Sequence, residues 1–262
     1  MLFDTHTHYD DEAFDEDREP LLTSLPAHGI AKVINAGATL ASNEKTIRLM
    51  QEYPFLYGAI GIHPEGVKEL NEEKYQWLKE QCGLEKAVAV GEIGLDYYWD
   101  EPEKELQKYW FNRQLKLAKE MNLPVIIHSR EAAKDTIDML RQEWTETMTG
   151  VIHCYSYTKE SAQIFLEMGF YFGIGGVITF KNARKLKEAA AYIPIDKILL
   201  ETDCPYLAPV PYRGKRNSSL YLPGVVQELA AVKGITPREV EEVTMENAYR
   251  LFTKVPRLGT ER

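Results

Sequence analysis

Ala87-Val88-Ala89-Val90-Gly91-Glu92 is a short apolar run that stops on a carboxylate. Three other runs stop in the same manner: Pro124-Val125-Ile126-Ile127 on His128, Gly150-Val151-Ile152 on His153, and Lys197-Ile198-Leu199-Leu200 on Glu201-Thr202-Asp203. Runs of this length, rich in β-branched residues, read as strands. Leu2 to Thr5, Ala31 to Asn35, Tyr57 to Gly61 and Tyr171 to Ile174 bring the number of predicted strands to eight.

Amphipathic segments separate these runs. Ser42 to Tyr53 and Pro102 to Met121 are predicted helices, the second because Leu106, Trp110, Leu117 and Met121 recur at spacings of three, four or seven. Eight strands alternating with helices over about 250 residues is the pattern of an α/β protein folded as a (β/α)8 TIM barrel. A doubly wound open sheet has the same periodicity. The polar residues separate the two, because a barrel gathers its functional groups at the C-terminal ends of its strands, and that is where the unusual residues of this chain sit. Leu222 to Lys233 and Pro237 to Phe252 are predicted helices that close the outer ring.

With 262 residues, 44% hydrophobic and 27% charged, the chain is long enough for a full core. It shows no linker, tail or internal repeat, so a single domain over residues 1–262 is expected. It opens with no cationic region followed by an apolar one, and no stretch approaches the roughly 18 apolar residues of a membrane span. A cytoplasmic protein is therefore expected, with no membrane partner and no obligate protein partner. Cys82, Cys154 and Cys204 are odd in number and lack metal-finger spacing, which argues against a disulfide framework. A net charge of −9 argues against tight non-specific binding to duplex nucleic acid. It leaves room for a polyanionic substrate where bound divalent cations invert the local field.

The short apolar start Met1-Leu2-Phe3 of the first predicted strand runs into Asp4-Thr5-His6-Thr7-His8. Alternation puts His6 and His8 on one face with their rings free to converge. Together with Glu92, His128, His153 and Asp203 they supply six candidate metal ligands at one mouth of the barrel. One ion with an open position takes three or four ligands, so six suit two divalent ions. Glu92 is the natural bridge, with His6, His8 and Asp203 on one ion and His128 and His153 on the other. Imidazole and carboxylate admit zinc, manganese or, less well, magnesium. Cys154 and Cys204 each follow a ligand, so alternation is expected to turn both thiols away into packing.

These motifs resemble the TatD family of metal-dependent deoxyribonucleases, within the amidohydrolase-like barrels. The likeness runs end to end, through Asp4-Thr5-His6-Thr7-His8, Gly61-Ile62-His63-Pro64, Gly91-Glu92-Ile93-Gly94-Leu95-Asp96, His128-Ser129-Arg130, His153-Cys154-Tyr155-Ser156 and Glu201-Thr202-Asp203-Cys204-Pro205-Tyr206. The resemblance implies a barrel with a divalent metal centre on the six residues named above. It also implies hydrolysis of DNA phosphodiester bonds from a 3′ end, commonly with magnesium or manganese. Related amide and phosphotriester hydrolases often bridge their metals with a carbamylated lysine; Glu92 in that place favours the nuclease-like branch. One departure stands out: where the family often has Arg-Asn-Glu-Pro, this chain has Arg216-Asn217-Ser218-Ser219.

In the expected reaction, two cations activate a water for in-line attack on phosphorus, with Asp203 and Glu92 as catalytic residues. Asp203 would ligate one ion and orient or deprotonate the water. Glu201 either hydrogen-bonds a ligand, meets the substrate, or is merely structural. His63, Arg130 and Tyr206 can reach the mouth. Arg130 offers a planar fork for phosphate or a partner for a nearby glutamate, and Tyr206 stacks on a sugar or base or packs on Pro205. Arg213, Lys215, Arg216 and Asn217, in the loop Pro209 to Ser219, form a candidate substrate clamp beside Asp203. Two other functions compete with a nuclease acting on single-stranded or frayed DNA ends: a small-molecule amide, ester or phosphoester hydrolase using the same centre, and a metal-binding scaffold without turnover.

Overall fold

The computed structural model describes residues 1–143 and 145–259. Eight strands form one parallel sheet in sequence order: β1 Leu2–Thr7, β2 Ile30–Ala36, β3 Leu56–Ile60, β4 Ala87–Asp96, β5 Val125–Arg130, β6 Gly150–Ile152, β7 Tyr171–Ile174 and β8 Ile198–Leu200. The sheet curls into a nearly closed (β/α)8 barrel. Its seam is held by a parallel bridge between Thr7 and Cys204, by the Thr5 hydroxyl on the Leu200 carbonyl at 3.0 Å, and by the His8 N–H on the Cys204 carbonyl at 2.8 Å. The open-sheet alternative is thereby excluded.

The outer layer comprises α1 Arg18–Ser24, α2 Leu40–Glu52, α3 Glu72–Cys82, α4 Lys104–Met121, α5 Ala133–Glu143, α6 Lys159–Glu167, α7 Arg184–Tyr192, α8 Leu222–Lys233 and α9 Pro237–Leu251. Local chemistry sets several of their ends. Thr39, Asn71 and Thr158 cap α2, α3 and α6 by accepting a backbone N–H, and Thr236 with Glu239 forms a capping box ahead of Pro237. Asn122 and Gly234 end α4 and α8 in the left-handed region, at φ 51° and 66°.

Strand alternation divides the core in two. Val33, Leu56, Val90, Ile127, Ile152 and Phe172 face the helices. Phe3, Ile34, Tyr57, Val88, Ile126, Val151 and Leu199 fill a second cluster with Tyr249 and Phe252 from the end of α9, which plugs the barrel floor. The opposite mouth is left for polar groups.

The strands match the apolar runs in place but several run further: β1 reaches Thr7 and β5 reaches Arg130. β4 does not stop before Glu92 but continues to Asp96, because Gly94, Leu95 and Asp96 stay in register with His128, Ser129 and Arg130 of β5. The close approach requires glycine at 94: a Cβ there would strike the His128 carbonyl, and φ is 150°. Ladder irregularities fall between Asp4 and Thr7 and between Val90 and Ile93, the intervals that contain His6 and Glu92. Such irregularities re-aim side chains at a barrel rim.

Candidate metal centre and active site

At the C-terminal mouth, His6 Nε2 on β1 and His8 Nε2 just past its end lie 3.1 Å apart. Glu92 Oε2 is 3.3 Å from His6 Nε2 and 3.6 Å from His8 Nε2. Asp203 Oδ1 is 3.7 and 3.3 Å from the same two nitrogens. Four donors at about 2.1 Å from a common tetrahedral ion would be roughly 3.4 Å from one another. The set fits one small cation.

The other Glu92 oxygen faces a second group. Oε1 lies 2.7 Å from His128 Nδ1, 3.6 Å from His153 Nε2 and 3.8 Å from His63 Nε2. His153 Nε2 is also 3.8 Å from Asp203 Oδ1, so this imidazole stands between the two groups, with its ring stacked at 3.5 Å on that of His6.

Tautomers sharpen the donor set. A carbonyl only accepts, so His8 Nδ1 donates to the Ala36 carbonyl at 3.0 Å and keeps its Nε2 lone pair for the centre. The buried Glu201 carboxylate stands 3.2 Å from His153 Nδ1 without hydrogen-bond alignment, and its charge favours a proton on that nitrogen. His63 is the reverse case. Its Nδ1 accepts the Glu65 N–H at 3.2 Å, so its Nε2 carries a proton and points a donor, rather than a lone pair, at the site. The His63, Glu92 and His128 grouping is therefore close enough to hold a cation, but His63 is suited to an anionic substrate.

Electrostatics give the same answer. Burial disfavours charge on Glu92 and Asp203, yet the surrounding imidazoles hold both carboxyls below their ordinary range. Burial likewise opposes protonation of His8, His128 and His153, but the adjacent carboxylates raise them to about 9, 9 and 10. Burial and the neighbouring His128 instead push His63 down to about 3, so it stays neutral. Buried carboxylates that draw protons onto imidazoles are a site built for positive charge.

Asp203 enters this centre from just beyond β8 in the left-handed region, at φ 57°. Its backbone N–H is held by the His6 carbonyl at 3.0 Å. Buried Asp4 accepts from the Thr202 N–H at 3.0 Å, from its hydroxyl at 2.7 Å and from the Ser219 hydroxyl at 2.6 Å. Ser219 also bonds Tyr9 through both its N–H and its hydroxyl. The departure from the family's Glu-Pro thus has a structural role: proline at 219 would supply neither donor.

A cavity of 720 Å³ opens above the centre, with His8, His63, Glu92, His128, His153 and Asp203 in its wall. Arg130 and Tyr206 line it as expected. Arg130 makes no ion pair among the described residues and stacks on Tyr98 at 3.7 Å. Tyr206 is 54% exposed and donates to Asp11 at 2.8 Å.

Other expectations are corrected. Glu201 is sealed beneath the site, where it also accepts the Cys154 N–H at 2.6 Å, so it positions His153 and does not meet substrate. Asn217 is fully buried, its amide spent on the Thr202 and Tyr206 carbonyls at 2.8 and 2.7 Å. Arg216 turns away to form a two-pronged pair with Asp17 at 2.6 Å over the Phe14 ring, and Arg213 stacks on Phe180 at 4.3 Å. None of these, nor Lys215, lines the cavity, because Arg216 and Asn217 fasten the loop down to the barrel. Cys204 is buried as expected, but Cys154 lies past the end of β6 at φ 45°, where alternation no longer applies, and faces the cavity.

Asp96 and Trp99 are among the wall residues that escaped the sequence reading. Asp96 Oδ2 lies 3.0 Å from His128 Nε2, and its signal was present: positions 92, 94 and 96 share a face once β4 is continued. Trp99, in the loop after β4, carries no periodic signal at all.

A family model described as TatD related DNase matches residues 3–253. The chain is 43% identical to an uncharacterized metal-dependent hydrolase of Bacillus subtilis, YabD, over 96% of its own length and 99% of the relative's. It is 32% identical to the 3′-5′ ssDNA/RNA exonuclease TatD of Cronobacter sakazakii, over 97% and 98% of the two chains. The crystal structure of YjjV, a TatD homologue from Escherichia coli K12, superposes with a TM-score of 0.90 at 32% identity, covering 97% and 98%.

Proposed function

Because this chain belongs to the TatD-related DNase family of metal-dependent hydrolases, we propose that it removes nucleotides from the 3′ end of DNA by hydrolysing phosphodiester bonds with two divalent cations. The observation that carries this reading is the Glu92 carboxylate, whose two oxygens face two different groups of imidazoles. His6, His8 and Asp203 with Glu92 would hold one cation; His128 and His153 with Glu92 would hold the other. Magnesium, manganese or zinc bound there would polarise the phosphodiester and acidify the attacking water.

The chain's own groups divide the remaining work. Asp203 accepts a proton from the attacking water. The neutral His63 directs its Nε2 proton toward a phosphoryl oxygen, and the Arg130 guanidinium binds the phosphate at the rim. Glu201 keeps His153 in the required tautomer. A cavity of 720 Å³ admits a strand end of one or two nucleotides and is too small for an intact duplex, which favours ends over internal sites. A small-molecule amide or ester hydrolase has no such use for an arginine that makes no ion pair among the described residues.

The test incubates metal-free protein with end-labelled single- and double-stranded DNA, restoring magnesium, manganese or zinc in turn, beside Glu92→Ala. Stepwise shortening from the 3′ end that requires metal and Glu92 is expected. Cleavage without metal, or full activity in the variant, overturns the proposal.

A further inference from the structure

We infer that Trp99, seated on Tyr98, is a nucleobase platform that makes this site selective for unpaired strand ends; the inference rests on the phosphodiester reading above. Trp99 lines the cavity and is 51% exposed, an indole surface left in water at the rim of the site. It meets Tyr98 edge to face at 4.7 Å, and the other partner of Tyr98 is the Arg130 guanidinium at 3.7 Å. Arginine over the tyrosine ring and tryptophan set edge to face against it thus form a contiguous row, which ends in an open aromatic surface and includes a cation with no ion-pair partner among the described residues.

The loop beneath this stack is fixed in place. The Tyr98 N–H donates to Asp96 Oδ1 at 2.9 Å, the Tyr97 N–H to the Arg130 carbonyl at 2.9 Å, and Gln107 brackets Asp96 through both its N–H and its carbonyl. A platform held this way loses little freedom when a ligand docks. A cation to take a phosphate and an aromatic surface to take a base are the two elements of single-strand recognition, and neither depends on base identity. In a duplex the base faces are already occupied by their neighbours, so the platform rewards an unpaired end. Tyr206, four strands away around the ring after β8, is tied by its hydroxyl to Asp11. The two aromatics therefore flank the cavity from opposite sides.

The experiment compares wild type, Trp99→Ala and Trp99→Phe in hydrolysis of oligothymidylate with manganese, using thymidine 5′-monophosphate and deoxyribose 5-phosphate as inhibitors. For wild type, the base-bearing inhibitor is expected to bind about tenfold more tightly than the base-free one. Trp99→Ala erases that difference and raises KM for the strand about tenfold with the larger effect in KM than in kcat, and Trp99→Phe restores most of both. Quenching of tryptophan fluorescence by thymidine 5′-monophosphate, read without turnover, is lost in Trp99→Ala. An undiminished preference and equal quenching in Trp99→Ala overturn the platform and leave the nuclease standing. A wild-type protein that shortens no strand with magnesium, manganese or zinc overturns the phosphodiester reading itself.

Discussion

His153 Nδ1 lies 3.2 Å from Glu201 Oε1, with both side chains buried, so the carboxylate that orients this imidazole never touches substrate. Replacing Glu201 with alanine is expected to lower cation affinity roughly 10- to 100-fold, the usual effect of losing the partner that orients a ligand. Gly173→Ala acts from the other side, because its Cβ would collide with Glu201 Oε2. Manganese titrations by calorimetry check both variants, and unchanged affinity in Glu201→Ala would remove its positioning role.

Cations bound only by the folded protein raise its stability, by about 2.7 kcal/mol at a concentration 100 times Kd. Manganese or zinc should therefore raise Tm, and a chelator should reverse the gain. Glu92→Ala is expected to lose most of that shift. Asp203→Asn removes a charged ligand and a proton acceptor, and kcat should fall by roughly 10²- to 10⁴-fold or more. A Tm that ignores cations in the wild-type protein would count against the metal centre.

Asn217 and Arg216 are neighbours with opposite expected outcomes. Asn217→Ala leaves the Thr202 and Tyr206 carbonyls unpaired and should cost about 2–4 kcal/mol of stability. Arg216→Ala breaks a solvent-exposed pair with Asp17 and should cost about 0–1 kcal/mol, with KM for DNA unchanged. Denaturant unfolding measures the first pair of values; a KM raised severalfold in Arg216→Ala would restore it as a substrate clamp.

Ser219→Ala removes the hydroxyl shared by Asp4 and Tyr9 and is expected to destabilise the fold by about 1–3 kcal/mol. Ser219→Pro, which also removes the N–H donated to Tyr9, should cost more. If both unfold at the wild-type urea midpoint, the buried network does not hold the seam between β1 and β8.

Lys86 donates to the Met50 and Tyr53 carbonyls, and burial together with nearby Lys32 lowers it from 10.5 to about 8. Between those values the unfolded chain holds a proton that the folded chain has released, so raising the pH from 8 to 10.5 favours folding. The stability of wild type relative to Lys86→Met should increase across that window. A difference that stays constant with pH would show that the amine is not perturbed.

Much of this protein was legible in order along the chain. Strand and helix periods follow from local burial, so eight runs and their intervening helices announced the barrel, and the candidate ligands stood out because His128 and His153 directly follow apolar runs and Asp203 lies three residues past another. The convergence of His6 and His8 was legible from their spacing of two, although His8 lies just past the end of β1. What tertiary structure alone decided is how far each element runs and where each side chain turns once neighbours compete for it. Pairing with β5 carried β4 on to Asp96, left-handed backbone turned Cys154 into the cavity, and buried carbonyls claimed Asn217 before any substrate could. Asp17 and Phe14 drew Arg216 away from the mouth, while Trp99 reaches the rim set edge to face against the Tyr98 ring that Arg130 covers. Local pattern records what a residue can do; the partner it finds across the fold determines what it does.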